Sequence, residues 1–235
     1  MKSYTKNQTV DKLKKKLSKI EDLYNSKCVA WTGITSDTGE LYSEIIASEL
    51  LRGIKVFDKI QTVTRSKTYY REERGRIKIN NKSGRDEENF AKRLAGLTLK
   101  NLGLIKDFQI PLKGKRTDKG LGKIDLISFN KENNTLYLIE LKYGNKETLL
   151  RASLESYTYY KIIDKVKLVN DYFNDHAPNE INVKPAVLVI PDPEYGPYNE
   201  LKEVASGKRP KLKDLALALD IKYFTVDFLT SEFRL

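Results

Sequence analysis

The chain has 235 residues, with 43 Lys and Arg against 32 Asp and Glu, a single cysteine and a single histidine. That length can bury a sizeable core in one domain, or in one domain with an appendage. Cys28 alone excludes an internal disulfide, a CxxC zinc site and a four-cysteine cluster, and His176 alone leaves multi-histidine metal sites and Cys-His or Ser-His pairs poorly supported.

In chain order, Leu13, Leu17, Ile20 and Tyr24 recur on one stripe, which predicts a helix over 11–24 with Lys14, Lys15 and Lys16 on its solvated side. A second helix is expected over 40–52, with Leu41, Ile45 and Ile46 on its apolar side and Gly53 as its C-cap. Residues 54–64 and 76–80 alternate apolar and polar as strands do, and Asn80-Asn81-Lys82-Ser83-Gly84 is turn chemistry that marks a junction. Residues 1–84 therefore read as an N-terminal α+β extension suited to DNA recognition or dimerisation, and 85–235 as the main domain. There the expected order is a helix over 86–100, a strand over 104–111, a hairpin over 123–142, a long helix over 146–173 and a strand over 184–190. A Pro- and Gly-rich loop over 191–210, a helix over 211–219 and a strand over 222–228 follow. The unbroken run Ala186-Val187-Leu188-Val189-Ile190 suits a central parallel strand covered on both faces, reached by a right-handed crossover. The fold class is α/β, a mixed sheet flanked by helices, with an αβββαβ core.

The chemistry concentrates in the hairpin. Asp125 lies within Ile124-Asp125-Leu126-Ile127, and Glu140 and Lys142 lie within Leu138-Ile139-Glu140-Leu141-Lys142, both apolar runs. A loop centred between Glu132 and Asn133 sets Asp125 opposite Glu140. Directly opposed residues have Cβ atoms roughly 4.5–5.5 Å apart on one face, close enough for two carboxylates to share a divalent cation. Alternation adds Lys123 and Lys142 to that face. Two carboxylates held so close repel unless a cation compensates, and Mg²⁺ would do so while keeping coordination positions for water and a phosphate oxygen. The competing account is a structural network of Asp, Glu and Lys that stabilises the sheet.

Asp-x14-Glu-x-Lys on two consecutive strands resembles the PD-(D/E)XK, or restriction-endonuclease-like, nuclease superfamily, over about residues 85 to 191. Two other triplets, Glu200-Leu201-Lys202 and Asp220-Ile221-Lys222, lack an acid on an apolar run at hairpin distance upstream. Ile124 stands where the family often has Pro. The resemblance implies phosphodiester hydrolysis, most readily of DNA, with Mg²⁺ as cofactor and Mn²⁺ as its substitute. Asp125, Glu140 and the Leu141 carbonyl would be metal ligands, and Lys142 would position the attacking water. A further acid from the preceding helix would be Glu87, with Glu88 as the alternate; acids in a first helical turn are also expected from the helix dipole alone. Where some members carry Gln-x-x-x-Tyr, this chain has Ser153 and Tyr157.

The excess charge is uneven. From Arg65 to Lys123 there are 17 Lys and Arg against 7 Asp and Glu, whereas the rest of the chain is nearly neutral. Lys113, Lys115, Arg116, Lys119 and Lys123, on a loop with Gly114, Gly120 and Gly122, would track a phosphate backbone. A nucleic-acid-binding protein without turnover is the alternative function. No GxxxxGK[ST] or GxGxxG cradle, apolar run of membrane length or secretory leader occurs, so a cytoplasmic, soluble protein is expected, with a homodimer left open. His176, within Asn174-Asp175-His176-Ala177-Pro178, reads as a loop bystander.

Overall fold

The computed structural model describes residues 3–70, 85–113, 122–144, 147–173, 180–192, 194 and 196–226. Six strands among them form one mixed sheet in chain order: β1 (Thr98–Leu99), β2 (Gly103–Pro111), β3 (Lys123–Asn130), β4 (Thr135–Lys142), β5 (Asn182–Val189) and β6 (Lys222–Thr225). Neighbours run antiparallel from β1 to β4 and parallel from β4 to β6. The β3–β4 turn has the expected centre. Leu126 pairs with Ile139 and Asn130 with Thr135, with Asn134 at φ +51° in the turn, a conformation that Asn tolerates.

The helices are α1 (Lys6–Lys14), α2 (Tyr42–Arg52), α3 (Asp86–Leu94), α4 (Leu149–Ile162), α5 (Lys165–Tyr172), α6 (Gly196–Ala205) and α7 (Pro210–Ala218). Several depart from the periodicity reading. The single helix expected over 11–24 is instead α1, started early by a Thr5–Gln8 capping box, followed by a 3₁₀ segment Leu17–Asn25 kinked at Lys19. The strand expected over 54–64 is a 3₁₀ turn, Ile54–Lys59, that buries Phe57, followed by an isolated parallel bridge from Val63 to Ile163. Residues 3–70 thus contribute helices and isolated bridges rather than an α+β unit; the strand expected over 76–80 and the junction at 80–84 lie outside the described residues. α3 stops short of 100 because Gly96, at φ +86°, turns the chain into β1. The long helix expected over 146–173 breaks at Ile163, where Asp164 accepts a hydrogen bond from the Lys167 amide and caps α5. The expected loop 191–210 contains α6, while α7 starts on Pro210, a favoured first-turn residue. His176 lies outside the described residues.

Two apolar clusters cover the sheet. Ile127, Phe129, Leu136 and Leu138 join Leu150 and Leu154 of α4, Leu212 and Leu215 of α7, and Leu13, Ile20, Leu23, Ile46 and Leu50 from the N-terminal segment. Leu126, Ile139 and Leu141 join Ala91 and Leu94 of α3. The N-terminal segment therefore shares its core with the sheet. Each fully buried leucine in these clusters stabilises the fold by about 1.5–3 kcal/mol. Glu140 and Lys142 continue the phase of Leu136 and Leu138, which points them toward the α4 side. Among the described residues no helix is long and apolar enough to cross a membrane.

Candidate active site

The hairpin register, continued one step beyond Leu126 and Ile139, sets Asp125 across from Glu140. Both line one cavity of about 310 Å³ at the end of β4, together with Glu87, Gln109, Lys123, Lys142, Glu147, Arg151, Glu155 and Tyr159. Four elements converge there: the first turn of α3, β2, the hairpin, and α4 with the residues leading into it.

The Asp125 carboxylate is fixed at both oxygens, Oδ1 accepting from Gln109 Nε2 at 2.8 Å and Oδ2 from the Leu141 amide at 3.0 Å. Lys142 is almost fully buried. Its Nζ donates to Glu140 Oε1 at 2.7 Å, lies 2.6 Å from Glu147 Oε2 in an ion pair outside hydrogen-bond angles, and stands 3.8 Å from Glu155 Oε2. Glu147 is held in turn by Arg151 at 3.1 Å, and Glu155 accepts from the Tyr159 hydroxyl at 2.8 Å.

Among the described residues five carboxylates, those of Glu87, Asp125, Glu140, Glu147 and Glu155, thus face three basic groups, Lys123, Lys142 and Arg151. Burial pushes Asp125 up to about 7, partly opposed by Lys142. Burial, and then the Asp125 charge, raises Glu140 well above the usual carboxylate range. Glu87 is raised by burial, again against the pull of Lys142. For Lys142 burial favours the neutral amine, but Glu140, Glu87, Glu155 and Glu147 together outweigh it and hold the ammonium far above its ordinary range. The site is short of positive charge.

Of the two helical acids, Glu87 lines the cavity and accepts from the Tyr143 amide at 3.2 Å, whereas Glu88 pairs with Lys92 at 2.8 Å and Arg85 at 3.5 Å on the outer face of α3. The Leu141 side chain is buried in the α3-side cluster. Lys123 reaches the cavity and Lys113 is exposed at the start of the basic loop. Lys115, Arg116 and Lys119 lie outside the described residues, as do Gly114 and Gly120. Beside Gly122 the space a side chain would fill is taken by the Tyr159 hydroxyl, so that glycine serves packing at the cavity wall. Ser153 and Tyr157 turn elsewhere: the Ser153 hydroxyl donates to the Leu149 carbonyl and pairs with Tyr223, and the Tyr157 ring packs edge-on against Phe57.

Sequence reasoning missed Gln109, Glu147, Arg151, Glu155 and Tyr159. The last four recur every fourth residue, the spacing of one helix face, but nothing in the sequence alone sets that face against Lys142. Gln109 carried no such signal. It adopts φ +51° within β2, beyond a register irregularity between Ile105 and Asp107.

All the acidic donors here are oxygens, which suits a hard cation. Among the described residues no three acidic, histidine or cysteine side chains form a ready metal cage. Mg²⁺ does not need one, since it usually takes one or two carboxylates and keeps water or phosphate elsewhere. Comparison of the chain with family models, characterised proteins and solved structures gave no match.

Proposed function

We propose that this protein is a metal-dependent nuclease that hydrolyses phosphodiester bonds, in DNA first of all, on a restriction-endonuclease-like fold. The observation that carries the reading is the shortage of positive charge around two opposed carboxylates, with Asp125 held near 7 and Glu140 raised well above the usual carboxylate range by burial and by the Asp125 charge. A divalent cation relieves that shortage and favours the ionised forms of both. The chemistry such an ion supplies is polarisation of the phosphodiester and a lowered pKa for water.

The chain's own groups take the remaining roles. Asp125 and Glu140 would hold the cation, with the Leu141 carbonyl as a third donor and Glu87 beside them. Lys142, positioned by Glu140 and Glu147, would orient the attacking water and offset charge that develops on the phosphate. Lys123 and the basic loop hold neighbouring phosphates.

A second reading has its own observation. The Lys142 ammonium already bridges Glu140 and Glu147 at 2.7 and 2.6 Å, an arrangement that suits a scaffold binding nucleic acid without turnover. Incubation with plasmid, linear and single-stranded DNA in Mg²⁺, Mn²⁺ or EDTA separates the two. Cleavage that needs metal and disappears in Asp125→Asn and Glu140→Gln, with binding retained, is expected. Binding without cleavage under any divalent metal would favour the scaffold.

A further inference from the structure

Tyr143 follows Lys142 directly and leaves β4 with its side chain 43 % exposed. Of the seven exposed large apolar side chains among the described residues, it alone is a chain neighbour of a cavity residue. Its ring stacks on Phe90 of α3, with centroids 5.2 Å apart and planes 17° from parallel, and its amide donates to Glu87 Oε1. The backbone is thus tied to Glu87 and the ring plane to Phe90, so a flat aromatic surface is set in place before any ligand arrives.

We propose that Tyr143, backed by Phe90, is the stacking platform for an unpaired nucleobase beside the reacting phosphate. The substrate is then nucleic acid that is single-stranded or frayed at that position, rather than intact duplex. This rests on the nuclease reading and narrows its substrate class. A base inside a duplex has both faces covered by its neighbours, so an aromatic plane can engage only a base that has left the stack. Charge points the same way. Until a cation binds, the five carboxylates and three basic groups among the described lining residues hold a phosphate backbone poorly, and adhesion near the site gains from an interaction that does not depend on charge. Base–aromatic stacking supplies one that tolerates any sequence, and its usual strength corresponds to roughly tenfold in affinity.

The test measures binding in EDTA, where cleavage is suppressed, using single-stranded oligonucleotides with 2-aminopurine at successive positions and a blunt duplex as control. Wild type and Tyr143→Phe should quench one position strongly and bind single strands about tenfold or more tighter than duplex. Tyr143→Leu keeps an apolar contact with Phe90 but has no π face. It should lose the quenching and roughly tenfold in single-strand affinity, with duplex binding unchanged. Single-strand binding and quenching by Tyr143→Leu equal to wild type would overturn the platform, and so would wild-type preference for blunt duplex. The quenching decides the platform and metal-dependent cleavage decides the nuclease reading, so either can fail without the other.

Discussion

Gln109 holds the Asp125 carboxylate through a 2.8 Å hydrogen bond while its own backbone sits at φ +51° inside a strand. A side-chain residue in that region costs on the order of 1 kcal/mol or more, and irregularities of this kind re-aim side chains beside functional sites. Gln109→Gly removes both the clamp and the strain. The variant should keep or raise Tm, yet bind Mn²⁺ roughly tenfold more weakly, as loss of a hydrogen bond to a ligating carboxylate typically does. Calorimetric titration with Mn²⁺ beside thermal melts checks this, and unchanged affinity would reduce Gln109 to a packing residue.

The pH dependence of stability has a definite sign at Asp125. In the unfolded chain it ionises near 4, whereas in the folded protein it is held near 7, so between those values the folded state binds more protons. Its contribution to stability therefore falls as pH rises from about 4 to about 7. Acids held low by hydrogen bonds, such as Asp164, act in the opposite sense, which makes the difference from Asp125→Asn the informative quantity. In metal-free buffer the variant should match wild type at pH 4 and exceed it at pH 8 by on the order of a few kcal/mol. Added Mn²⁺ should raise wild-type Tm more at pH 8 than at pH 5 and leave the variant unmoved. A wild type that responds equally at both pH values would argue against a cation on Asp125.

Lys142 cannot simply be deleted. Its amine is buried among Glu140, Glu147 and Glu155, and removing it strands charges inside the protein. Lys142→Ala should lose about 3–5 kcal/mol of stability near neutral pH, measured by urea unfolding. Lys142→Arg keeps the charge, and should keep the fold and DNA affinity while lowering kcat, because a group that orients the attacking water acts in the transition state. Full activity in Lys142→Arg would reduce this lysine to a charge partner of the three acids.

The pairing of Asp125 with Glu140 was legible because a two-residue period and a polar turn fix a hairpin register, which the sheet then obeys from Leu126 to Asn130. The helix carrying Glu87 was legible for a similar reason, although its end was not: Gly96 decides it through a positive φ that no hydrophobic pattern encodes. The N-terminal segment misled because alternation over 54–64 serves a 3₁₀ turn packed on α4, where Phe57 is buried by a distant element. Arg151 and Glu155 went unread because they become neighbours of Lys142 only once the crossover has folded α4 back over β4.

The basic loop and the α1 lysines look alike in composition and differ in place. Lys123 lines the cavity and Lys113 stands at the end of β2, whereas Lys14, Lys15 and Lys16 are exposed where α1 ends. If the loop tracks phosphates, neutralising Lys113, Lys115, Arg116 and Lys119 together should weaken DNA binding and flatten its salt dependence, by up to about 0.9 in log–log slope for each phosphate that is no longer neutralised. The net acidity of the described cavity lining makes this contribution more necessary, since among the described residues its basic groups are Lys123, Lys142 and Arg151, and the last two are committed to carboxylates. Neutralising Lys14, Lys15 and Lys16 should change the slope little. Binding isotherms between 50 and 200 mM salt give both slopes, and a larger change in the α1 variant would move the nucleic-acid face to the N-terminal helix.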